Sequence, residues 1–314
     1  MALVDHRLRQ RLKQVPRLWA LWFVLRHVRI YCRYLWFRLW LLVLMRFPEP
    51  SVRKSRPHHL PSTLIVSLTS HPPRFWCLAL TLQCLLRQTI KPDHLILWIA
   101  HNDRSQLPAA VLRLQGHGLE IRYVDDLKSY KKLIPALQAF GCDVNHVIVD
   151  DDMYQAPDWL ESLLREPSNN HVVCHFGRLW CDEQGRVQTY RQWPAMEPGA
   201  VSERGFIIGH GGVWFPPGSL GPEALDYELA SELCPLQDDA WFTWHALMRG
   251  YQIRRTSRSP RRFSWPGADA NGVALSDQNN SQGGGNDLAL RRMLEHYGVP
   301  ASHVLTSDRS SDLP

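Results

Sequence analysis

What this 314-residue chain lacks narrows its function first. It has no Cys-x-x-Cys pair, and its seven cysteines (32, 77, 84, 142, 174, 181 and 234) are scattered and odd in number. That excludes a disulfide framework and a thiolate zinc site and fits a reducing compartment. No Gly-x-Gly-x-x-Gly or Walker A pattern occurs, so neither a dinucleotide fold nor a P-loop has local support. No internal repeat is present. Long hydrophobic runs are missing too: near the amino terminus the longest uncharged stretches are Leu18–Leu25 and Leu39–Met45. Both fall far short of the roughly 20 residues that a membrane-spanning helix needs.

Acid is nearly absent from the first 58 residues, where 13 Lys or Arg stand against Asp5 and Glu49, a balance of +11. The remainder carries 23 basic and 28 acidic residues, or −5. A mildly acidic body with a basic arm does not match a nucleic-acid-binding domain, whose basic surface belongs to the fold itself, so no nucleic-acid partner is expected.

The arm is rich in what a lipid surface takes up. Within residues 16–47, Arg26, Arg29 and Arg33 fall on one helical stripe and interrupt the apolar core a secretory signal requires. Trp19, Trp22, Trp36 and Trp40, with Tyr31 and Tyr34, supply the amphipathic rings favoured at a lipid–water boundary. Residues 1–47 are expected to form a basic amphipathic arm of one or two helices. Residues 16–47 would lie on an anionic membrane, with the Arg side chains snorkelling to phosphates. The alternative is a helix packed on the protein's own body or in a dimer. Residues 48–62 are Pro-rich and polar and read as a linker, and 306–314 as a flexible tail.

From Thr63 short apolar strands alternate with amphipathic stretches. Strands are expected at 63–68, 94–99 and 119–124 and in the run entering Asp150, with helices at about 75–88, 107–115 and 129–140 between them. That order argues for a mostly parallel α/β sheet with right-handed crossovers. Beyond it the pattern is mixed: a helix near 157–166, a hairpin over 171–190, a helix over 236–249, a strand at 251–255 and a helix near 287–297. Cys174 and Cys181 would face each other across that hairpin as free thiols.

The most informative feature is Asp150-Asp151-Asp152 directly after Val147-Ile148-Val149. A buried strand ending in carboxylates puts oxygen ligands at the carboxyl edge of a sheet, where open α/β folds bind ligands. By strand alternation Asp150 and Asp152 would point one way and Asp151 the other, a spacing that suits Mg²⁺ or Mn²⁺.

Several blocks accompany this triplet in order: IVSLTSHPPRF (65–75), SYKKLIPAL (129–137), VIVDDDMYQAPDWLESL (147–163), YRQW (190–193), GHGGVWFPPGSL (209–220) and LQDDAWFTWHAL (236–247). Over roughly residues 62–255 the chain resembles bacterial glycosyltransferases of the GT-A fold, close to the family-2 type. The resemblance implies a GT-A domain over 63–305: a mixed, mostly parallel sheet flanked by helices. It also implies a nucleotide-diphospho-sugar donor and a divalent metal, Mn²⁺ or Mg²⁺, on Asp150 and Asp152.

On this reading Thr69 and Arg74 lie where such enzymes hold the nucleotide base, and Asp151 contacts the donor or supports its loop. Asp125 and Asp126 accept from base or ribose, or cap the following segment; Asp103 is a weaker nucleotide candidate. Lys132 or its neighbour Lys131 pairs with the diphosphate, the other being an exposed helix residue. Gly211 and Gly212, with Gly209, allow close backbone approach to the donor sugar, and His210 sits within that turn. Trp214 and Trp241 either stack an acceptor sugar or belong to the core, whereas His175 and His245 read as satisfied structural histidines. Asp238 would bind the acceptor and Asp239 act as general base, since a sugar hydroxyl is a poor nucleophile at neutral pH. Gln282–Asp287 resembles a late family block that folds over the donor.

The expected activity is therefore inverting, metal-assisted glycosyl transfer to a cell-envelope or lipid-linked glycan, by a protein peripheral on the cytoplasmic face of the inner membrane. The competing readings are a metal-dependent phosphohydrolase or nucleotidyltransferase, and a non-catalytic membrane-tethered scaffold.

Overall fold

The computed structural model describes residues 35–36, 39, 55–166, 168–184, 186–265 and 285–298. The chain divides into two units, 1–51 and 52–314. Of the first, Leu35, Trp36 and Leu39 are helical and exposed. The rest of the expected arm, residues 48–54 of the linker, 282–284 of the glycine-rich block and the 306–314 tail lie outside the described residues. Among the described residues no helix is long and apolar enough to cross a membrane.

The second unit is built on an eight-stranded sheet. Its strands in chain order are β1 (Leu64–Thr69), β2 (His94–Ala100), β3 (Leu119–Val124), β4 (Asn145–Ile148), β5 (His171–Cys174), β6 (Val201–Ser202), β7 (Val213–Phe215) and β8 (Gln252–Arg255). Across the sheet they run β6-β8-β5-β7-β4-β1-β2-β3. The half from β4 to β3 is all parallel, and β5 and β8 also pair in parallel. The central strand β7 runs against both neighbours, and β6 runs against β8.

Burial explains which segments take the centre. In β1 every residue but Thr69 is buried, the near-continuous apolar run of a strand covered on both faces, and β4 is also buried throughout, its Asn145 and His146 included. Leu64, Val66 and Leu68 face one layer with α1 (Phe75–Leu86), while Ile65 faces the other with Ile96, Trp98 and Ala136. By contrast β3 carries Glu120 and Arg122, which bond each other at 2.6 Å, and charge of this kind suits an edge strand.

Helices α1, α2 (Ala109–Leu112), α3 (Ile134–Phe140), α4 (Trp159–Leu164), α5 (Tyr227–Leu233), α6 (Asp238–Met248) and α7 (Asn286–Tyr297) flank the sheet. The chain steps outward from β1 through β2 to β3, then returns to the other side of β1 as β4. That reversal opens a crevice beyond the carboxyl ends of β1 and β4, where an open α/β sheet binds ligands.

Several local expectations are corrected. The segment over 107–115 is a short α2 followed by a 3-10 stretch, Arg113–His117. The expected 129–140 helix begins instead as the 3-10 turn Lys128–Lys132, because Pro135 cannot continue a helix begun upstream. The 171–190 segment is not one hairpin: β5 joins the main sheet, Gly177–Leu179 pairs with Gly205–Ile207, and a short antiparallel bridge joins Cys181 to Val187. Cys174 and Cys181 are buried, as are Cys77 and Cys234. The carboxyl half of the expected linker is docked on the body. Arg56–Pro57 pairs with Ile90–Lys91, and His58 bonds Asp93 at 2.8 Å.

Candidate active site

The acids after β4 form a turn rather than a strand extension. Two contacts pin its backbone: the Thr81 hydroxyl donates to the Asp151 carbonyl at 2.6 Å, and the Trp265 N–H donates to the Asp152 carbonyl at 2.9 Å. The buried Asp151 carboxylate accepts from the Ser70 hydroxyl and from Arg74 Nη1 at 2.9 Å. Arg74 Nη2 lies 3.4 Å from Asp152 Oδ2. Side-chain alternation therefore fails here, because Asp151 and Asp152 both reach one guanidinium from a turn. Burial works against the charge on Arg74, but Asp151 and then Asp152 more than offset it, so its pKa is raised.

Lys132 joins this turn to the start of α6. Its ammonium is buried, 3.2 Å from Asp150 Oδ1 and 2.8 Å from Asp238 Oδ2. Desolvation opposes the charge, yet Asp150, Asp238 and Asp239 together hold its pKa well above the usual lysine value. Asp150 responds oppositely: burial pushes its carboxyl up, but Lys132, His210 and Arg74 bring it below the ordinary value.

Asp239 completes the group. Its Oδ2 accepts from the Gly209 N–H at 2.9 Å, and its buried Oδ1 has no hydrogen-bond partner among the described residues. Burial, partly opposed by Lys132 and reinforced by Asp238, raises its pKa to about 7. Neither acid caps α6; both sit in its first turn, where the helix dipole favours negative charge.

The turn Gly209–Gly211 covers this group. A Cβ on Gly209 would lie 2.6 Å from Asp239 Oδ1 and 3.1 Å from Lys132 Nζ, so a side chain there would force the carboxylate or the ammonium to move. At Gly211 and Gly212 the expectation is corrected, since their close neighbours are the protein's own rings. A Cβ on Gly211 would meet Phe176 at 2.8 Å, and one on Gly212, at φ 99°, would meet the Trp159 indole. Trp159 Nε1 also donates to the Gly211 carbonyl at 2.7 Å. His210 is exposed and stacks on Phe176 with ring centroids 4.7 Å apart.

Other expected residues are engaged elsewhere. The Thr69 hydroxyl donates to the Trp98 carbonyl at 2.9 Å. Asp126 bonds Lys128 and Lys131, and its Oδ1 accepts from the Lys128 N–H, but the N-cap of the 3-10 turn is Leu127 and no side chain caps it; Asp125 is exposed. Lys131 is buried, so neither lysine is an exposed helix residue. Asp103 lies in the 3-10 stretch His101–Gln106. Trp214 and Trp241 are buried core residues, donating to Asn145 Oδ1 at 3.1 Å and to the Ala224 carbonyl at 3.0 Å, which leaves no ring face for a sugar.

His175 is satisfied by Thr256 at 2.9 Å and Ser162 at 3.2 Å. His245 is not: among the described residues neither ring nitrogen has a hydrogen-bond partner, and burial holds its pKa near 4. Asp287 Oδ1 accepts from the Tyr190 N–H at 2.6 Å, tying the late block to the YRQW segment. Ser70, Phe176 and Arg262 were not singled out in the sequence. Ser70 lay within the opening block and its position after a buried strand was the available signal, whereas the other two had none.

No group of three or more His, Cys, Asp or Glu that could hold a metal ion occurs among the described residues. The donors that the expected metal would use are the carboxylates of Asp150 and Asp152, hard oxygens on one turn, each beside a cationic side chain. Hard carboxylate oxygens are the donor type that Mg²⁺ or Mn²⁺ takes, but here each is already paired with a cation of the protein itself.

No protein-family model and no curated protein matches the chain. Solved structures with partial likeness include the glucosyl-3-phosphoglycerate synthase of Mycobacterium tuberculosis, in complex with Mn²⁺, uridine diphosphate and glucosyl-3-phosphoglycerate. That match has 15% identity and a TM-score of 0.27, covering 36% of this chain and 43% of that one. The chain thus spans less than half of that enzyme's length. The inositol-1-phosphate CTP transferase of T. maritima matches at 10% identity and a TM-score of 0.40, over 75% of this chain and 97% of its own. Likeness at this level assigns neither a family nor an activity.

Proposed function

We propose that the chain is a GT-A-type glycosyltransferase that moves a sugar from a nucleotide-diphospho-sugar to a cell-envelope or lipid-linked glycan, with inversion. The observation that carries this reading is the Lys132 ammonium shared by Asp150 and Asp238. Asp150 from the sheet's carboxyl edge and Asp238 from α6 reach one ammonium, which supports a reading in which donor and acceptor groups meet at a single sugar carbon. Asp150 and Asp152 are the residues that would hold Mg²⁺ or Mn²⁺, whose chemistry is charge stabilisation on the departing diphosphate.

The chain's own groups do the rest. Lys132 and Arg74 present positive charge beside the acidic turn, where the donor phosphates would lie. The Gly209 N–H fixes Asp239 through Oδ2, leaving Oδ1 to accept the proton of the acceptor hydroxyl. A carboxylate with a pKa of about 7 is matched to that transfer near neutral pH. Asp238 positions Lys132 rather than touching the acceptor.

The test is a thermal shift of the full chain with UDP, GDP or CDP and Mn²⁺. One nucleotide should raise the midpoint, and Asp152→Asn should remove the Mn²⁺-dependent part of the rise. No rise with any of them would sink the reading. Cleavage of nucleotide sugars indifferent to acceptor would favour a phosphohydrolase, and an Asp152→Asn strain with unchanged cellular glycan would favour a scaffold.

The basic, Trp-rich 16–47 segment supports a peripheral location on the cytoplasmic face of the inner membrane. Deleting residues 1–47 is expected to move the protein from the membrane to the soluble fraction. A truncated protein that stays with the membrane would show that the arm is not the anchor.

A further inference from the structure

Two arginines converge on Phe176 beside the glycine turn. Arg262, on the strand Arg262–Ser264, places its guanidinium carbon 3.3 Å from the ring centroid, and Arg255 at the end of β8 approaches the same ring at 5.8 Å. Among the described residues neither has a carboxylate partner, in contrast to Arg254, which pairs with Glu166 at 3.6 Å. Arg255 Nη1 donates to the Met196 carbonyl, but Arg255 Nε and Arg262 Nη1 are buried with no hydrogen-bond partner among the described residues. Burial and then the nearby Arg255 lower the Arg262 pKa to about 10. Buried positive charge left without an acid is costly, and an incoming anion would relieve that cost.

Position says which anion. The Gly209 end of the turn abuts Asp239 and Lys132, while a Cβ on Gly211 would lie 3.4 Å from Arg262 Nη1. Asp239 and the Arg262 guanidinium, which has no acid partner among the described residues, therefore stand at opposite ends of a three-residue turn. The donor phosphates have cations of their own in Lys132 and Arg74, at the acidic turn.

We propose that Arg262, supported by Arg255, is a subsite for an oxyanion carried by the acceptor, a phosphate or carboxylate within reach of the hydroxyl that Asp239 deprotonates. This rests on the transferase reading above. A planar guanidinium, with several N–H donors in a fixed fork, suits such a group better than a lysine would.

The test uses the full chain, with inorganic phosphate as probe, titrated by ³¹P line broadening with and without the nucleoside diphosphate that raises the midpoint. Wild type should bind phosphate while the nucleotide saturates its own site. Arg262→Gln should weaken phosphate about tenfold or more while nucleotide affinity stays within about twofold. Arg262→Lys, which keeps the charge without the fork, should recover part of the loss. If Arg262→Gln does not fold, Arg255→Gln is read in the same way.

Equal phosphate affinity in wild type and variant overturns the subsite and leaves the transferase reading standing. Loss of nucleotide affinity in step with phosphate overturns it too, since the arginine would then serve the donor. If no nucleotide binds wild type, the transferase reading falls, and phosphate binding that still depends on Arg262 would deny the subsite its acceptor role.

Discussion

Asp239→Asn is expected to lower kcat by about 10²–10⁴-fold while raising the unfolding midpoint at pH 8. Both effects come from one cause. The carboxyl is held at a pKa of about 7 by burial and by Asp238, against the pull of Lys132, so at pH 8 the folded protein keeps an ionised acid where it is disfavoured. Because the folded pKa is raised, the stability it contributes is fully present below the ordinary carboxylate range and is lost as pH rises through about 7. Asparagine carries no charge to lose, so the variant should escape that decline, with a gain on the order of 1–3 kcal/mol at pH 8 and little at pH 4.

The Gly209 N–H retains an amide oxygen to bond, and Lys132 keeps Asp150 and Asp238. In the wild type, kcat/KM should climb with pH through about 7 as Asp239 loses its proton. Denaturation midpoints across pH and a pH–rate profile check both halves. An active variant, or one less stable than wild type at pH 8, would remove Asp239 from the role of base.

Lys132→Met is expected to be the most destabilising single change at the site, costing about 3–5 kcal/mol at pH 8. The ammonium is buried between Asp150 and Asp238, with Asp239 adjacent, so its loss leaves enclosed like charges facing one another. Methionine fills the aliphatic stem and restores none of the charge. The loss should lower the melting temperature by roughly 10 °C. It should shrink at pH 4–5, where the orphaned carboxylates take up protons instead of remaining ionised. Melts at the two pH values decide this, and a variant as stable as wild type at pH 8 would show that the lysine does not hold the two acidic segments together.

Much of this protein is legible in its residues. Leu64–Thr69 and His94–Ala100 lie within one residue of the strands that their apolar runs predict, because burial on both faces leaves a local signature in composition, and Leu119–Val124 matches as an edge strand that alternates apolar with charged residues. Asp150 to Asp152, Asp238 and Asp239 stand out for the same reason: acids at the end of a buried strand and the start of an apolar helix conflict with their surroundings. The YRQW segment, the glycine turn and the late block were marked as well, but not what they touch.

Other features leave no local trace. The pairing of Gly177–Leu179 with Gly205–Ile207 depends on a partner that the flanking residues do not encode. Nothing near Phe176 or Arg262 announces that they meet, since 3-10 turns and two-stranded ladders lack the long periodicity that marks a helix or a main-sheet strand.

The sequence by itself determined the alternation of strand and helix, the placing of carboxylates at element ends, and the contrast between a basic arm and an acidic body, all of which follow from local hydropathy and charge. Only the tertiary structure decided that Asp150 and Asp238 share the Lys132 ammonium, that Gly211 and Gly212 make room for the protein's own rings, and that Arg262 faces the glycine turn with no acid partner among the described residues. Each of those contacts joins segments distant in the chain, and the sheet order brings them together at one edge, where burial and neighbouring charges act on each group together.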